Sequence, residues 1–255
     1  MMSPRRALRH SLTLAWRNLT KFKHTPDQLL DITLMPITFV LMFVFLFGNA
    51  VSGDWHIYLQ FVIPGIAVQA LMFATLSSAI SLNTDLRNGV YDRLRSLPIA
   101  RSAPLIGQII GDAVKYILAI VIVFALGAAL GFRTHADPLA IAAAAGLMLG
   151  FAFAICWIAT LIGVAARNAE TVQALSLVLI LPLTFGSNVF VPTGKLPGWL
   201  QAWVKINPVT QLSDAVRALL LGTPAGTAVT TSLLWIAAIT AVFTPLAIAA
   251  YRRRA

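Results

Sequence analysis

The sequence predicts an all-α polytopic membrane protein with six transmembrane helices. Three kinds of shorter helix go with them: an amphipathic one at the N-terminus, a cytoplasmic one between spans two and three, and re-entrant or outer-leaflet ones between spans five and six. Three observations carry this prediction. Hydrophobic residues make up 58% of the chain and charged residues only 11%, less than half the roughly 25% of a soluble domain; the mean hydropathy is +0.82. Apolar runs repeatedly reach the ~20 residues with which a helix crosses a bilayer. None shows the ~10-residue alternation of a barrel strand.

Taken in order, residues 5–23 form the amphipathic helix. Leu8, Leu12, Ala15, Trp16, Leu19 and Phe22 share one face, and Arg6, Arg9, His10, Arg17 and Lys21 take the flank and the opposite face. An apolar face in the bilayer with basic groups toward lipid phosphates is the interfacial pattern; a solvated helix packing on a partner is the other reading. Thr25-Pro26-Asp27 breaks the helix. No short apolar core with a small-residue cleavage site precedes it, so the N-terminus is expected to be retained.

The six spans are 29–50, 58–82, 105–131, 139–165, 172–190 and 227–250. Several exceed the minimum length and are expected to tilt. Pro36, Pro64, Pro182 and Pro245 lie inside them, which is tolerated where neighbours satisfy the freed carbonyl. Gly107 and Gly111, Gly127 and Gly131, and Gly146 and Gly150 have the spacing of close helix packing. The whole chain, 1–255, reads as one transmembrane domain.

Residues 191–222 are too polar for a span and too long for a turn. Two short helices fit, 197–206 and 210–221, with Asn207-Pro208 as the break, Thr210 as the cap and Gly222 as the stop. Trp199 and Trp203 fall one turn apart, as interface-seeking indoles do. The pair is either a lid over a pathway or a static plug.

The net charge of +10 is distributed at span ends rather than over a nucleic-acid-binding face. Fourteen of the nineteen Lys and Arg residues lie on one side: six in the N-terminal helix, then Arg87, Arg93, Arg95, Arg101, Arg167, Arg252, Arg253 and Arg254. Arg133, Lys195, Lys205 and Arg217 lie on the other side, and Lys115 falls within the third span. The asymmetry places both termini in the cytoplasm.

Catalytic chemistry is sparse. There is no G-x-x-x-x-G-K-[ST] phosphate cradle and no G-x-S-x-G turn. His10, His24, His56 and His135 are scattered, and no metal cluster is expected. Cys156 is the single cysteine, expected as a small buried hydrophobe. Asp112 is the one acid well inside a span, with Lys115 a turn on and on the same face. The two are read as a mutually neutralising pair, with an intramembrane functional group as the alternative. So little buried charge suggests that energy arrives from elsewhere than an ion gradient.

The place where it would enter is the polar segment 83–104. Asp85 and Arg87 are followed by Gly89, which allows a sharp turn. Residues 91–97 then form a short helix bearing Asp92, Arg93 and Arg95 beside apolar Leu94 and Leu97; Pro98 stops it and Arg101 follows. Such a helix between two rigid spans transmits a push to both. The other reading is a solvated helix resting on lipid phosphates.

Five stretches, in order, carry a family resemblance: Arg17-Asn-Leu with Thr25-Pro-Asp-Gln-Leu-Leu-Asp; Met35-Pro-Ile; Leu59-Gln-Phe-Val-Ile-Pro-Gly; the run from Asp85 to Ser102; and Asn207-Pro-Val-Thr through Asp214-Ala-Val-Arg. With them the chain resembles the permease subunits of type-2 ABC exporters, and among these the daunorubicin-resistance subfamily. The resemblance implies a six-span permease that pairs with a second permease chain, its own copy or a sister. Two separate ATPase subunits would bind the ATP and magnesium, with no cofactor on this chain and no enzymatic activity of its own. It implies a coupling helix within 85–101 that docks on the ATPase, and an interface helix carrying Leu8, Leu12, Trp16 and Arg17. It also implies outer helices carrying Trp199, Trp203, Asn207, Pro208, Asp214 and Arg217. Many relatives have Glu in the coupling stretch; Asp85 and Asp92 keep the charge with a shorter reach.

The expected function is export of an amphipathic or hydrophobic antibiotic, drug or lipid through a bacterial plasma membrane. The expected partners are the ATPase, the second permease, lipid and the cargo, and not nucleic acid. A lipid-linked glycan exporter, an ion-coupled secondary transporter and an integral membrane enzyme are the alternatives.

Overall fold

The computed structural model describes residues 26–90 and 103–254. The interface helix with Leu8, Leu12, Trp16 and Arg17 lies outside the described residues, as do Asp92, Arg93, Leu94, Arg95, Pro98 and Arg101 of the coupling segment. The rest is helical, with no strand among the described residues. Helix α1 (Pro26–Met42) runs through a π-helical segment (Phe43–Phe47) into α2 (Gly48–Ser52). There follow α3 (Trp55–Arg87), α4 (Ala103–Leu130), α5 (Pro138–Ala165) and α6 (Ala169–Phe185). After a 3-10 turn at Thr193–Lys195 come α7 (Gly198–Ile206), α8 (Pro208–Leu221) and α9 (Ala228–Arg254).

Five stretches are long and apolar enough to cross a membrane: Thr33–Ser52, Trp55–Arg87, Gly111–Leu130, Pro138–Ala165 and Ala228–Arg253. The sixth apolar run is shorter than its hydropathy suggests. Helix α6 has 17 residues, about 26 Å at 1.5 Å per residue, against a hydrocarbon core of about 30 Å. The run 172–190 leaves the helix after Phe185, because the groups at 186–190 are engaged by α8 instead.

The second span is longer than expected. Asp54 caps α3 by accepting the His56 N–H at 2.8 Å. The helix then continues for 33 residues, about 50 Å. Asn83 to Arg87, read as the start of a loop, are its last turns. It ends where Gly89 takes φ 67°, the left-handed conformation that glycine adopts without penalty.

Helix α3 is the centre of the bundle: 78% of its apolar stretch is buried, against 11% for α9 at the rim. It packs on α1, α4, α5, α6 and α8, while α9 lies against α5 and α8. Tyr58, Leu59, Ile63 and Ile66 of α3 meet Met148 and Phe151 of α5 and Leu212 of α8 in one apolar core. Cys156 is buried there as a free thiol. The spaced glycine pairs are not the tightest crossings. Gly127 presses on Ile63, but Gly131 and Gly146 have open space and Gly150 makes only an ordinary contact with Ile236. Tighter approaches are at unpaired glycines, among them Gly48, Gly65, Gly163 and Gly186. A methyl at Gly163 would stand 2.8 Å from the Ala79 carbonyl oxygen, and one at Gly65 would stand 2.9 Å from that of Val189.

The two ends of the bundle differ. At one, Leu82 of α3, Val164 of α5 and Tyr251 of α9 pack together. Buried Asn83 donates from Nδ2 to the carbonyls of Gly163 at 2.8 Å and Ala166 at 3.0 Å, so α3 supplies partners for carbonyls left open by the end of α5. At the other end the 131–137 connection bonds to α8, where the Leu220 carbonyl accepts from Thr134 Oγ1 at 2.6 Å and from the His135 N–H at 3.2 Å.

Candidate functional site

Helix α8 starts two residues earlier than expected, because Asn207 is its cap and not merely a break. Asn207 Oδ1 accepts the Val209 N–H at 2.9 Å. Its Nδ2 donates to the carbonyls of Leu183 and Gly186, both at 2.9 Å. One side chain thus satisfies the start of α8 and the end of α6. Pro208 takes the first helical position, where its missing N–H costs nothing. Thr210, expected as the cap, sits inside the helix, and its hydroxyl accepts the Asn188 N–H at 3.3 Å. Gly222 ends α8 with φ 69°, as expected.

The apolar face of α8 is buried, and Arg217 is buried with it, at 7% exposure. Burying a guanidinium is tolerable only when its donors are met, and here they are. Nε donates to the Phe61 carbonyl at 2.8 Å. Nη1 donates to Asn188 Oδ1 at 3.1 Å and Asp214 Oδ1 at 3.0 Å. Nη2 donates to the carbonyls of Asn188 at 2.8 Å and Val189 at 3.2 Å. The guanidinium also lies over the Phe61 ring, 3.9 Å from its centroid, a cation–π contact. Burial pulls the Arg217 pKa down to about 10, and the Asp214 carboxylate opposes that shift, so the group keeps its charge at neutral pH.

Three segments are joined at this point: α3 one turn before Pro64, the 186–190 segment, and α8. Asn188 Nδ2 closes the network on Asp214 Oδ1 at 2.7 Å, and Tyr58 donates to the Phe190 carbonyl at 2.8 Å. The π-helical segment and α6 meet the junction through rings: Phe43 stacks on Phe190 at 3.9 Å between centroids, and Phe185 on Phe190 at 5.2 Å. Asn188 and Tyr58 were not singled out in the sequence, and Gly65 only as the end of the Leu59-Gln-Phe-Val-Ile-Pro-Gly stretch. The signal for Asn188 was present, since Gly186-Ser187-Asn188 interrupts an apolar run with small and polar residues.

At the far end of α3, Asp85 turns inward and is buried at 7% exposure, while Arg87 and Asn88 face outward. Gly89 makes the turn expected of it. Of the expected outer-helix residues, Asn207, Asp214 and Arg217 converge on the junction; Trp199 is 77% exposed, and Trp203, 41% exposed, meets only its edge at Gly186. The intramembrane acid and base pair as expected: Lys115 Nζ lies 2.8 Å from Asp112 Oδ1, with both side chains buried. No group of three or more His, Cys, Asp or Glu that would hold a metal occurs among the described residues.

Long apolar helices around one buried helix, with polar networks at its two ends, define a multi-pass integral membrane protein. The chain belongs to the ABC-2 type transporter family, whose sequence profile matches residues 9–221. It is 41% identical over 248 residues to the daunorubicin resistance ABC transporter permease protein DrrB1 of Streptomyces coeruleorubidus, covering 97% of this chain and 88% of that protein. It is 29% identical over 245 residues to a probable doxorubicin resistance ABC transporter permease protein, DrrC, of Mycobacterium tuberculosis, covering 93% and 86%. A putative transport permease of Cyanophora paradoxa, ycf38, is 27% identical over 210 residues.

Proposed function

We propose that this chain is the permease subunit of an ATP-driven exporter of hydrophobic or amphipathic compounds, of the drug class for which its relatives are named. Separate ATPase subunits bind ATP and magnesium, two permease chains form the pathway, and the coupling segment 85–101 receives the ATPase. One observation carries the mechanism: α3 runs without interruption from the coupling segment to the Arg217 junction. Residues 61 to 87 span about 39 Å of helix, so a displacement at Arg87 reaches Phe61 through a rigid rod. There Arg217 ties the rod to the 186–190 segment and to α8, and both move with it. The turn at Gly89 ends α3 at the start of the coupling segment, and α4 begins at Ala103.

Charge supports the orientation. Of the nineteen Lys and Arg residues, fourteen fall in segments assigned to the side of the Asn83 end and four, Arg133, Lys195, Lys205 and Arg217, to the side of the Arg217 end. By the positive-inside tendency the Asn83 end and both termini face the cytoplasm of a bacterial cell.

Co-purification tests the coupling assignment. Arg93→Glu with Arg95→Glu is expected to abolish ATPase association while leaving membrane insertion and detergent elution volume unchanged. Retained ATPase binding by that double variant overturns it. Stimulation of the purified complex's ATP hydrolysis by daunorubicin, and not by an ionophore-imposed proton gradient, is the expected readout of cargo class.

A further inference from the structure

We propose that α7 is a docking surface for anionic phospholipid, with phosphate held by Lys195 and Lys205 and the indoles of Trp199 and Trp203 seated at the acyl boundary. The two outer helices divide their roles. Helix α8 is a buried part of the bundle, whereas α7 buries Val204 completely and exposes Trp199, Trp203 and Ile206 at 77%, 41% and 62%. Those three positions form one stripe at helical spacing.

The stripe is not an isolated patch. Val178, Leu181 and Phe185 are exposed along α6, and α7 returns to the end of that helix. The Trp203 indole abuts Gly186, where an added methyl would stand 2.8 Å from Nε1. Since α6 is about 26 Å long, its end lies near the depth where headgroups begin, and tryptophan favours that layer.

Charge selects the lipid. Residues 193–206 contain Lys195 and Lys205 and no Asp or Glu. Lys205 flanks the apolar stripe in the last turn of α7, placed to extend its ammonium along an apolar stem toward phosphate. Lys195 is exposed and also donates to the Val51 carbonyl, which anchors the cation at the level where α2 ends. The surface therefore fits an anionic diacyl phospholipid rather than a second copy of this basic chain. It stands on the membrane placement and the geometry of α7, whatever the cargo.

The test uses the full-length chain in vesicles of phosphatidylcholine with and without phosphatidylglycerol. Lipids brominated high on the acyl chain are expected to quench a fluorescence component that Trp199→Phe with Trp203→Phe removes, and lipids brominated near the chain end are expected to quench it less. Lys195→Gln with Lys205→Gln is expected to lower the phosphatidylglycerol preference of bound lipid, counted by native mass spectrometry, by severalfold while leaving total bound lipid unchanged. Quenching of the two indoles by aqueous iodide but not by shallow bromine would overturn the proposal. So would an unchanged lipid preference in the lysine variant, or efficient cross-linking between two copies through Trp199→Cys.

Discussion

Replacing Arg217 by lysine keeps the charge and loses the fork, and this site separates the two effects. One ammonium does not reach Phe61, Asn188 and Val189 together, so carbonyls now paired are left open in a buried setting. Arg217→Lys is expected to lower stability by about 1–3 kcal/mol, and Arg217→Met by more, both read as a shift in thermal unfolding in detergent. A lysine variant as stable as the wild type would mean that charge alone holds the junction. Asn83 gives a test of opposite chemistry. Its amide donates to two carbonyls at the end of α5, so Asn83→Asp, which sets a carboxylate against carbonyl oxygens, is expected to unfold at lower temperature than Asn83→Ala. Neither residue was legible as structural in the sequence. Arg217 looked like one exterior cation among four, because a linear pattern does not show that Asn188, twenty-nine positions away, returns to meet it. The Asp112–Lys115 pair was legible, since three-residue spacing on a helix fixes proximity by itself.

At the scale of elements, apolar run length located every long helix but misjudged two ends, for separate reasons. The last turns of α3 are polar, yet they stay helical because the end of α5 pairs with Asn83 and because α5 and α9 pack on Leu82 and Leu86. The last residues of the run 172–190 leave the helix where Gly186, Ser187 and Asn188 interrupt the apolar pattern and Asn207 and Arg217 take up their backbone groups. Tertiary demand overrode hydropathy in both cases. Glycine spacing was a poorer guide at the pairs Gly127 and Gly131 and Gly146 and Gly150, since tighter approaches lie at unpaired glycines such as Gly65 and Gly163. Gly163→Ala is therefore expected to cost about 1–3 kcal/mol through overpacking against Ala79. Gly146→Ala, with open space around it, is expected to be neutral or stabilising, as helix propensity favours alanine. Equal thermal shifts for the two variants would contradict the packing described.

For the whole molecule, topology and coupling are the properties to test. A cysteine placed at Thr193, at the Arg217 end, is expected to react with a membrane-impermeant maleimide added to intact cells; one at Asn88 is expected to react only after lysis. The reverse pattern would invert the orientation. The all-helical multi-pass architecture and family membership were legible in composition and in the stretches from Arg17 to Arg217. The placement of α8 inside the bundle was not, because its amphipathic pattern is the same whether the apolar face meets lipid or protein.

The π-helical segment of α1 carries a consequence for how chain length is allowed to vary. A π turn holds one more residue than an α turn, so Phe43–Phe47 is a stored insertion that leaves the faces before and after it in register. Deleting Phe45, which is exposed at 53%, is expected to convert the segment to plain α-helix while leaving Phe39 in its stack with Phe73. The same deletion at Leu34 would rotate everything before it by about 100° relative to the bundle. Expression and elution profile of the two deletions would show that α1 has one position at which a residue is dispensable and neighbouring positions at which none is.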